Sequence, residues 1–225
     1  IEARIAMLEV AEALLARPVA QDCIILGTSG RYEFKNKGLD VFIDSLGLLN
    51  KDEELKKEVL AFFFVPANQH GPRKDLVKNL HDKNIADAVT LQDPFLTHYL
   101  VEPSIDPVLN RIRQAGLGNG ESDKVKVFFV PSYLNGNDGI FNKKYYELLV
   151  GLDASVFASY YEPWGYTPQE SLAFHVPTFT TSLAGFGNWM EVHGYTNKGL
   201  EVIPRTDSNY PDVVENIKKT ILNFT

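Results

Sequence analysis

Apolar residues in this chain fall into short continuous runs, separated by stretches with helical spacing. The runs at residues 23–27, 60–66, 125–130, 154–158, 178–181 and 201–203 are rich in Val, Ile, Phe and Thr, and such runs suit strands buried on both faces of a sheet. Between them the spacing predicts helices. Ile1, Ile5, Leu8, Ala11 and Leu15 mark one apolar face over residues 1–16, and Pro18 ends it. Further helices are predicted near residues 39–46, 75–81, 107–115, 145–150 and 211–223. Polar segments at 116–123 and 135–142 read as surface loops. Strands alternating with helices predict an α/β fold, a Rossmann-like doubly wound parallel sheet whose ligand site lies at the C-terminal ends of the strands.

Composition narrows the class. With 225 residues, 44% hydrophobic and 23% charged, the chain is long enough for one α/β domain with a substantial core. No apolar run reaches the roughly 18 residues that cross a bilayer, and the N-terminal residues lack the basic-then-apolar pattern of a secretory signal, so a cytoplasmic protein with no membrane partner is expected. In that setting the sequon Asn223-Phe224-Thr225 carries no sugar. The net charge of −7 argues against a nucleic-acid partner, while leaving room for a local cationic pocket. The single Cys23 reads as a core hydrophobe. His70, His81, His98, His175 and His193 are scattered without metal-ligand spacing, and no Asp-x-Asp occurs, so no metal site is expected. A dinucleotide-binding oxidoreductase does not fit either: Gly116-Leu117-Gly118-Asn119-Gly120 is not Gly-x-Gly-x-x-Gly and follows a helical stretch rather than a strand.

Three segments carry candidate chemistry. Val156-Phe157-Ala158 reads as a strand end. After a loop holding Glu162, Trp164 and Gly165, Thr167-Pro168-Gln169-Glu170 has the composition of a capping box, with Thr167 as N-cap. A strand, a loop and a helix N-terminus in that order place unpaired N–H groups where a phosphate can bind. Arg31 and Lys37 follow another strand and flank a turn with Gly30 and Gly38, so both cations can converge on a diphosphate. Tyr133 and Tyr145 are large aromatic groups after a third strand. Each of these residues also has a plain structural reading: Glu170 as a helix cap, Glu162 and the cations as solvated surface groups, the tyrosines as packing.

The string Tyr160-Tyr161-Glu162-Pro163-Trp164-Gly165-Tyr166-Thr167-Pro168-Gln169-Glu170, with Leu183-Ala184-Gly185-Phe186-Gly187 after it, resembles the donor site of the glycogen synthases, retaining glycosyltransferases of the two-domain GT-B fold, in their fungal and animal subgroup. Ser29-Gly30-Arg31-Tyr32-Glu33-Phe34-Lys35-Asn36-Lys37-Gly38-Leu39-Asp40 is similar to that family's donor-phosphate motif, and residues 123–135 with Tyr145 to its base-binding segment. The likeness is loosest over residues 50–110, where this chain is shorter. The resemblance implies that residues 1–225 are the nucleotide-sugar-binding, C-terminal half of such an enzyme, its N-terminal acceptor domain lying outside this chain and the fragment having little activity alone. It implies transfer of glucose from UDP-glucose, or from ADP-glucose, to the nonreducing end of an α-1,4-glucan with retention and without a metal or other cofactor. Arg31, Lys37 and Glu162 would be catalytic. Gly30, Tyr133, Leu134, Tyr145, Trp164, Gly165, Tyr166, Thr167 and Glu170 would bind the donor: the two tyrosines around the base, Leu134 through its backbone at the base edge, Glu170 at the ribose, Tyr166 and Thr167 near a phosphate, and Trp164 and Gly165 through their N–H groups with Glu162 at the glucose. The family's arginine cluster for glucose 6-phosphate has no counterpart here, so that regulation is not expected. A noncatalytic nucleotide-sugar or glucan-binding module, and a GT-B enzyme acting on another sugar, remain open alternatives.

Overall fold

The computed structural model of the chain describes residues 1–82, 85–196 and 199–225. In chain order the strands are β1 (Ile24–Ser29), β2 (Val59–Phe64), β3 (Gln69–Pro72), β4 (His98–Leu100), β5 (Val125–Val130), β6 (Ala154–Val156), β7 (Thr178–Thr181) and β8 (Leu200–Ile203). The helices are α1 (Glu2–Leu15), α2 (Leu39–Asn50), α3 (Lys74–His81), α4 (Pro107–Gln114), α5 (Tyr145–Leu149), α6 (Tyr166–Ala173), α7 (Gly185–Val192) and α8 (Tyr210–Phe224). Six strands form one sheet in the order β5-β2-β1-β6-β7-β8, with every neighbouring pair parallel. The predicted doubly wound sheet is therefore present. Its order runs outward from β1 in one direction and then, from β6, in the other, and a crevice opens where the direction reverses.

Both faces of the sheet are covered. Ile24, Leu26, Ala61, Phe63, Val127 and Phe129 pack beneath α2, α4 and α8, while Ile25, Leu60, Phe62, Phe64 and Phe128 pack beneath α1, α3 and α5. Strand side chains alternate between the two layers because their period is two. Phe62, Phe63, Phe128 and Phe129 are fully buried, and burial of each side chain contributes about 2 kcal/mol. Phe42 of α2 stacks on Phe63 at 5.1 Å, and Phe62 meets Phe128 at 4.9 Å.

The outer edge of β5 has its hydrogen bonds met by other parts of the chain. Asn119 donates its side-chain amide to Val127 O at 2.8 Å and accepts from Val127 N–H at 2.8 Å. Asn50 Oδ1 accepts from Val125 N–H, Phe95 O accepts from Phe129 N–H, and Thr97 N–H donates to Phe129 O. Lys126, although fully buried, points its ammonium at the carbonyls of Gly120 and Asp123. Residues 116–123, predicted as a surface loop, thus fold back on the sheet. Residues 135–142 are likewise anchored, since buried Asp138 accepts from the N–H groups of Ile140, Phe141 and Asn142.

Several predicted boundaries move. The first strand begins at Ile24 and runs on to Ser29, and the second spans Val59–Phe64. β6 ends at Val156, although Phe157 still donates to Phe179 O at 2.8 Å. β3 and β4, which pair antiparallel, were not predicted, being short, polar and, in β3, carrying Gly and Pro. Nor was α7, whose start carries two glycines, poor helix formers. The helix expected to start after an N-cap at Thr167 starts at Tyr166, with Gly165 in the N-cap position and no side-chain cap. Gly165 adopts φ 101°, a conformation open to glycine, and sets the helix entry two residues earlier than Thr167 would.

At the reversal point, Gly38 precedes α2 with φ 63°, and a Cβ placed on it would lie 1.6 Å from Ala158 O. The loops after β1 and β6 are pressed together there, backbone on backbone. Asn36 O accepts from Tyr160 N–H at 2.8 Å and completes the contact. Gly38→Ala should therefore cost at least about 3 kcal/mol, combining a left-handed backbone with a clash that only backbone movement relieves, as read by urea unfolding.

His98 is fully buried between Thr97 Oγ1 at 2.8 Å and Asp138 O at 2.9 Å, and burial lowers its pKa. In the neutral ring Nε2–H donates to the carbonyl and Nδ1 accepts from the hydroxyl. The unfolded chain then binds the proton better than the folded one. Stability should be flat above pH ~7 and fall as pH drops below the ordinary histidine value of about 6.5. Urea midpoints between pH 5 and 8 check this, and His98→Gln should flatten that part of the profile.

Candidate functional site

Three loops leave the C-terminal edge of the sheet side by side, from β1, β5 and β6. The first runs through residues 30–38. Gly30 takes φ 141°, and the chain then turns through bonds from Lys37 N–H to Glu33 O and from Leu39 N–H to Phe34 O. Tyr32 holds its base: the hydroxyl donates to Asp106 Oδ2 at 2.7 Å and the ring meets Phe129 edge-on at 5.9 Å. Burial, with the Asp106 carboxylate beside it, pushes the Tyr32 phenol far above its ordinary range. Lys35 donates to buried Asp40 at 2.6 Å, tying the loop to the first turn of α2.

The two cations of this loop take different positions. Lys37 is mostly buried, with its side chain beside Gly30, and forms an ion pair with Glu162 from the β6 loop. The side chains are 11% and 16% exposed, so each charge is largely removed from water and held by the other. Arg31 stands at the rim, 80% exposed, with Glu33 as an ion-pair partner at 2.9 Å. The pair Lys37–Glu162 spans the reversal crevice, because β1 and β6 are the neighbours between which strand order turns.

Beside the crevice lies an open cleft of about 460 Å³. Gly30, Arg31, Tyr133, Leu134, Tyr145 and Glu170 line it, as does Thr167. Tyr133 is largely exposed, while Tyr145 is held by its hydroxyl at 2.6 Å from Ser29 Oγ and edge-on against Phe64 at 6.3 Å. Burial pushes the Tyr145 phenol up to about 12; the Ser29 bond opposes that rise and the Glu170 charge adds to it. Leu134 O accepts from Tyr145 N–H at 3.0 Å, which locks the two walls of the cleft to each other.

Seven of the twelve predicted residues thus line one cleft, and the other five are not among its lining residues. Lys37 and Glu162 are in the crevice. Trp164 packs edge-on against Phe186 at 5.9 Å and donates its indole N–H to Gln169 at 2.6 Å. Gly165 is buried at the helix entry, and Tyr166 is 70% exposed above it. The start of α7 secures this loop, with Gly185 N–H bonded to Glu162 O at 3.0 Å. Lining residues that sequence reasoning did not single out are Ser29, Tyr32, Phe64 and Pro66, at or just past the ends of β1 and β2, and Ser132 and Asn135 after β5. Their signal is positional and needs the strand order to be seen.

The arrangement can hold an anion against a pre-paired ammonium and a planar group between tyrosine-lined walls, and it offers the Glu170 carboxylate between them. Among the described residues no cluster of three or more His, Cys, Asp or Glu side chains is arranged for a metal. No helix among them is long and apolar enough to cross a membrane.

Comparison with known proteins finds related chains. The family model described as Glycogen synthase matches residues 20–92 and 73–225. The chain is 32% identical over 252 residues to a glycogen [starch] synthase of Neurospora crassa, covering 88% of this chain and 36% of that protein. It is 32% identical to the human liver enzyme, covering 89% and 36%, and 34% identical to isoform 2 of Saccharomyces cerevisiae, covering 79% and 34%. The chain therefore spans about a third of the length of these relatives. Among solved structures, apo OtsA superposes with a TM-score of 0.52 at 9% identity, over 91% of this chain and 38% of that one, a likeness of fold of the GT-B kind. On the family match and the identities together, the chain belongs to the glycogen synthase family.

Proposed function

We propose that residues 1–225 form the nucleotide-sugar-binding half of a retaining glucosyltransferase that moves glucose from UDP-glucose or ADP-glucose to the nonreducing end of an α-1,4-glucan. The observation that carries this is the meeting of the Lys37–Glu162 pair with a tyrosine-walled cleft at the point where strand order reverses. In this reading the nucleotide base lies between Tyr133 and Tyr145, Glu170 accepts from the ribose hydroxyls, and the diphosphate lies across Gly30 toward Arg31 and Lys37. The glucose then reaches the crevice beside Glu162, where Trp164 and Gly165 bound its far side. In this reading Tyr166 and Thr167, in the first turn of α6 just after the loop that holds Glu162, approach a phosphate.

The chemistry follows from the charges. The bond between C1 of glucose and the phosphate oxygen breaks, and negative charge grows on the leaving nucleoside diphosphate. Lys37 and Arg31 stabilise that charge, the task a metal ion performs elsewhere, so the proposed reaction is metal-independent. The acceptor 4-hydroxyl attacks C1 on the same face and its proton passes to the departing phosphate, which gives retention without a covalent intermediate. Glu162 contributes twice: it keeps Lys37 oriented and its carboxylate faces the positive charge developing at C1. The glucan and an acceptor domain contributed by the rest of the parent protein complete the proposal, as does a cytoplasmic location, which accords with a buried, unpaired Cys23.

Calorimetric titration of the purified chain tests the reading. UDP, ADP or both should bind, and Arg31→Ala and Tyr145→Ala should each weaken binding by about tenfold or more. NAD binding in place of either nucleotide would overturn it. The ion pair has its own test: Lys37→Met leaves Glu162 largely desolvated and unpaired and should cost about 3 kcal/mol in urea unfolding, whereas Lys37→Met with Glu162→Gln should recover part of that loss.

A further inference from the structure

The loop after β8 carries a cation that the roles above leave unused. Arg205 is buried, 6% exposed, a depth that arginine rarely reaches. Its guanidinium donates to the Ala158 carbonyl, the same oxygen that Gly38 faces across the reversal point. The guanidinium carbon lies over the Tyr160 ring, 5.2 Å from its centroid. The Tyr160 hydroxyl in turn donates to Asp207 Oδ1 at 2.7 Å, so the β8 loop holds that ring at its face and at its tip. Arg205 is itself fixed through its backbone, with its N–H donating to Ser182 Oγ at 2.9 Å and its carbonyl accepting from that hydroxyl at 3.3 Å.

The segment held in this way runs directly into Glu162. Thr181 Oγ1 donates to Ser159 O at 2.6 Å, and from the opposite side Asn36 O, in the loop that bears Lys37, accepts from Tyr160 N–H at 2.8 Å. We infer that Arg205 is a positioning residue for the sugar end of the donor: by holding Ala158 O and the Tyr160 ring it sets the height of the β6 loop, and with it the place where the Glu162 carboxylate meets Lys37 and a glucose. Desolvation opposes a charge at this depth, and a neutral amide could make the bond to one carbonyl at lower cost. What the guanidinium adds is reach and shape. It crosses from the loop after β8, past β7, to the end of β6, and binds an oxygen and an aromatic face at once. In the proposed donor arrangement the base belongs to the walls after β5 and the diphosphate to the loop after β1, so the influence of Arg205 falls on the glucose.

This inference rests on the donor-binding reading, and one set of titrations separates the two. Wild-type chain and its variants are titrated calorimetrically with UDP and UDP-glucose, and with ADP and ADP-glucose. Arg205→Met should lose about fivefold or more in affinity for the nucleotide sugar that the wild type binds and less than about twofold for the matching nucleotide. Arg205→Lys, which keeps a charged donor for Ala158 O, should recover most of the loss. In a Glu162→Gln background Arg205→Met should cause no further loss, because it acts through that carboxylate, and a merely structural role would not produce this coupling. Tyr160→Ala, at a residue 37% exposed, removes the ring without opening the core and should show the same sugar-selective loss, so it carries the test if Arg205→Met does not fold. Equal losses for nucleotide and nucleotide sugar, no loss for either, or full additivity with Glu162→Gln would overturn the positioning role alone. Failure of the wild type to bind any of the four ligands would overturn the donor-binding reading and this inference with it.

Discussion

The contact between Gly38 and the Ala158 carbonyl is the constraint on which the rest of the site depends. A doubly wound sheet must send the chain to opposite sides at its reversal point, and the loops leaving the two central strands would ordinarily diverge there. Here they are forced together for lack of a single Cβ. That proximity lets an ammonium after β1 reach a carboxylate after β6, and it aligns the nucleotide cleft on one side with the α7-supported loop on the other.

Electrostatics then divides the labour between two cations that look alike in sequence. Lys37 has given up most of its hydration and depends on Glu162, so its position is set before any ligand arrives. Arg31 keeps its water and its freedom, with a surface partner that contributes little. A chain of net charge −7 can therefore present a local anion site without an extended basic surface. In the proposed reaction the fixed charge faces the leaving oxygen, and the mobile one closes on the diphosphate from outside.

Most of the framework was legible because it is written in apolar runs. Residues 125–130 and 178–181 became strands with those same limits, since each is buried on both sides and bounded by polar turns. The site was legible as three motifs following three strands, and the structure brings them to one edge. What sequence left hidden depends on tertiary partners. The apparent cap at Thr167 gave way because Gly165 supplies the backbone turn itself, leaving the threonine inside the helix. α7 forms in spite of its glycines because Gly185 and Gly187 sit where a side chain would strike Pro163 O and Thr181 O.

The side-chain amide of Asn119 has a wider effect than the loop it anchors. By matching the donor and acceptor of Val127, and with Asn50, Phe95 and Thr97 serving Val125 and Phe129, it occupies the outermost row of β5 as a surrogate strand would. A border of six residues, five of them apolar, which would otherwise be a template for another chain's backbone, is already spoken for. The sheet is thus closed to growth on that side, where five phenylalanines lie in two adjacent strands.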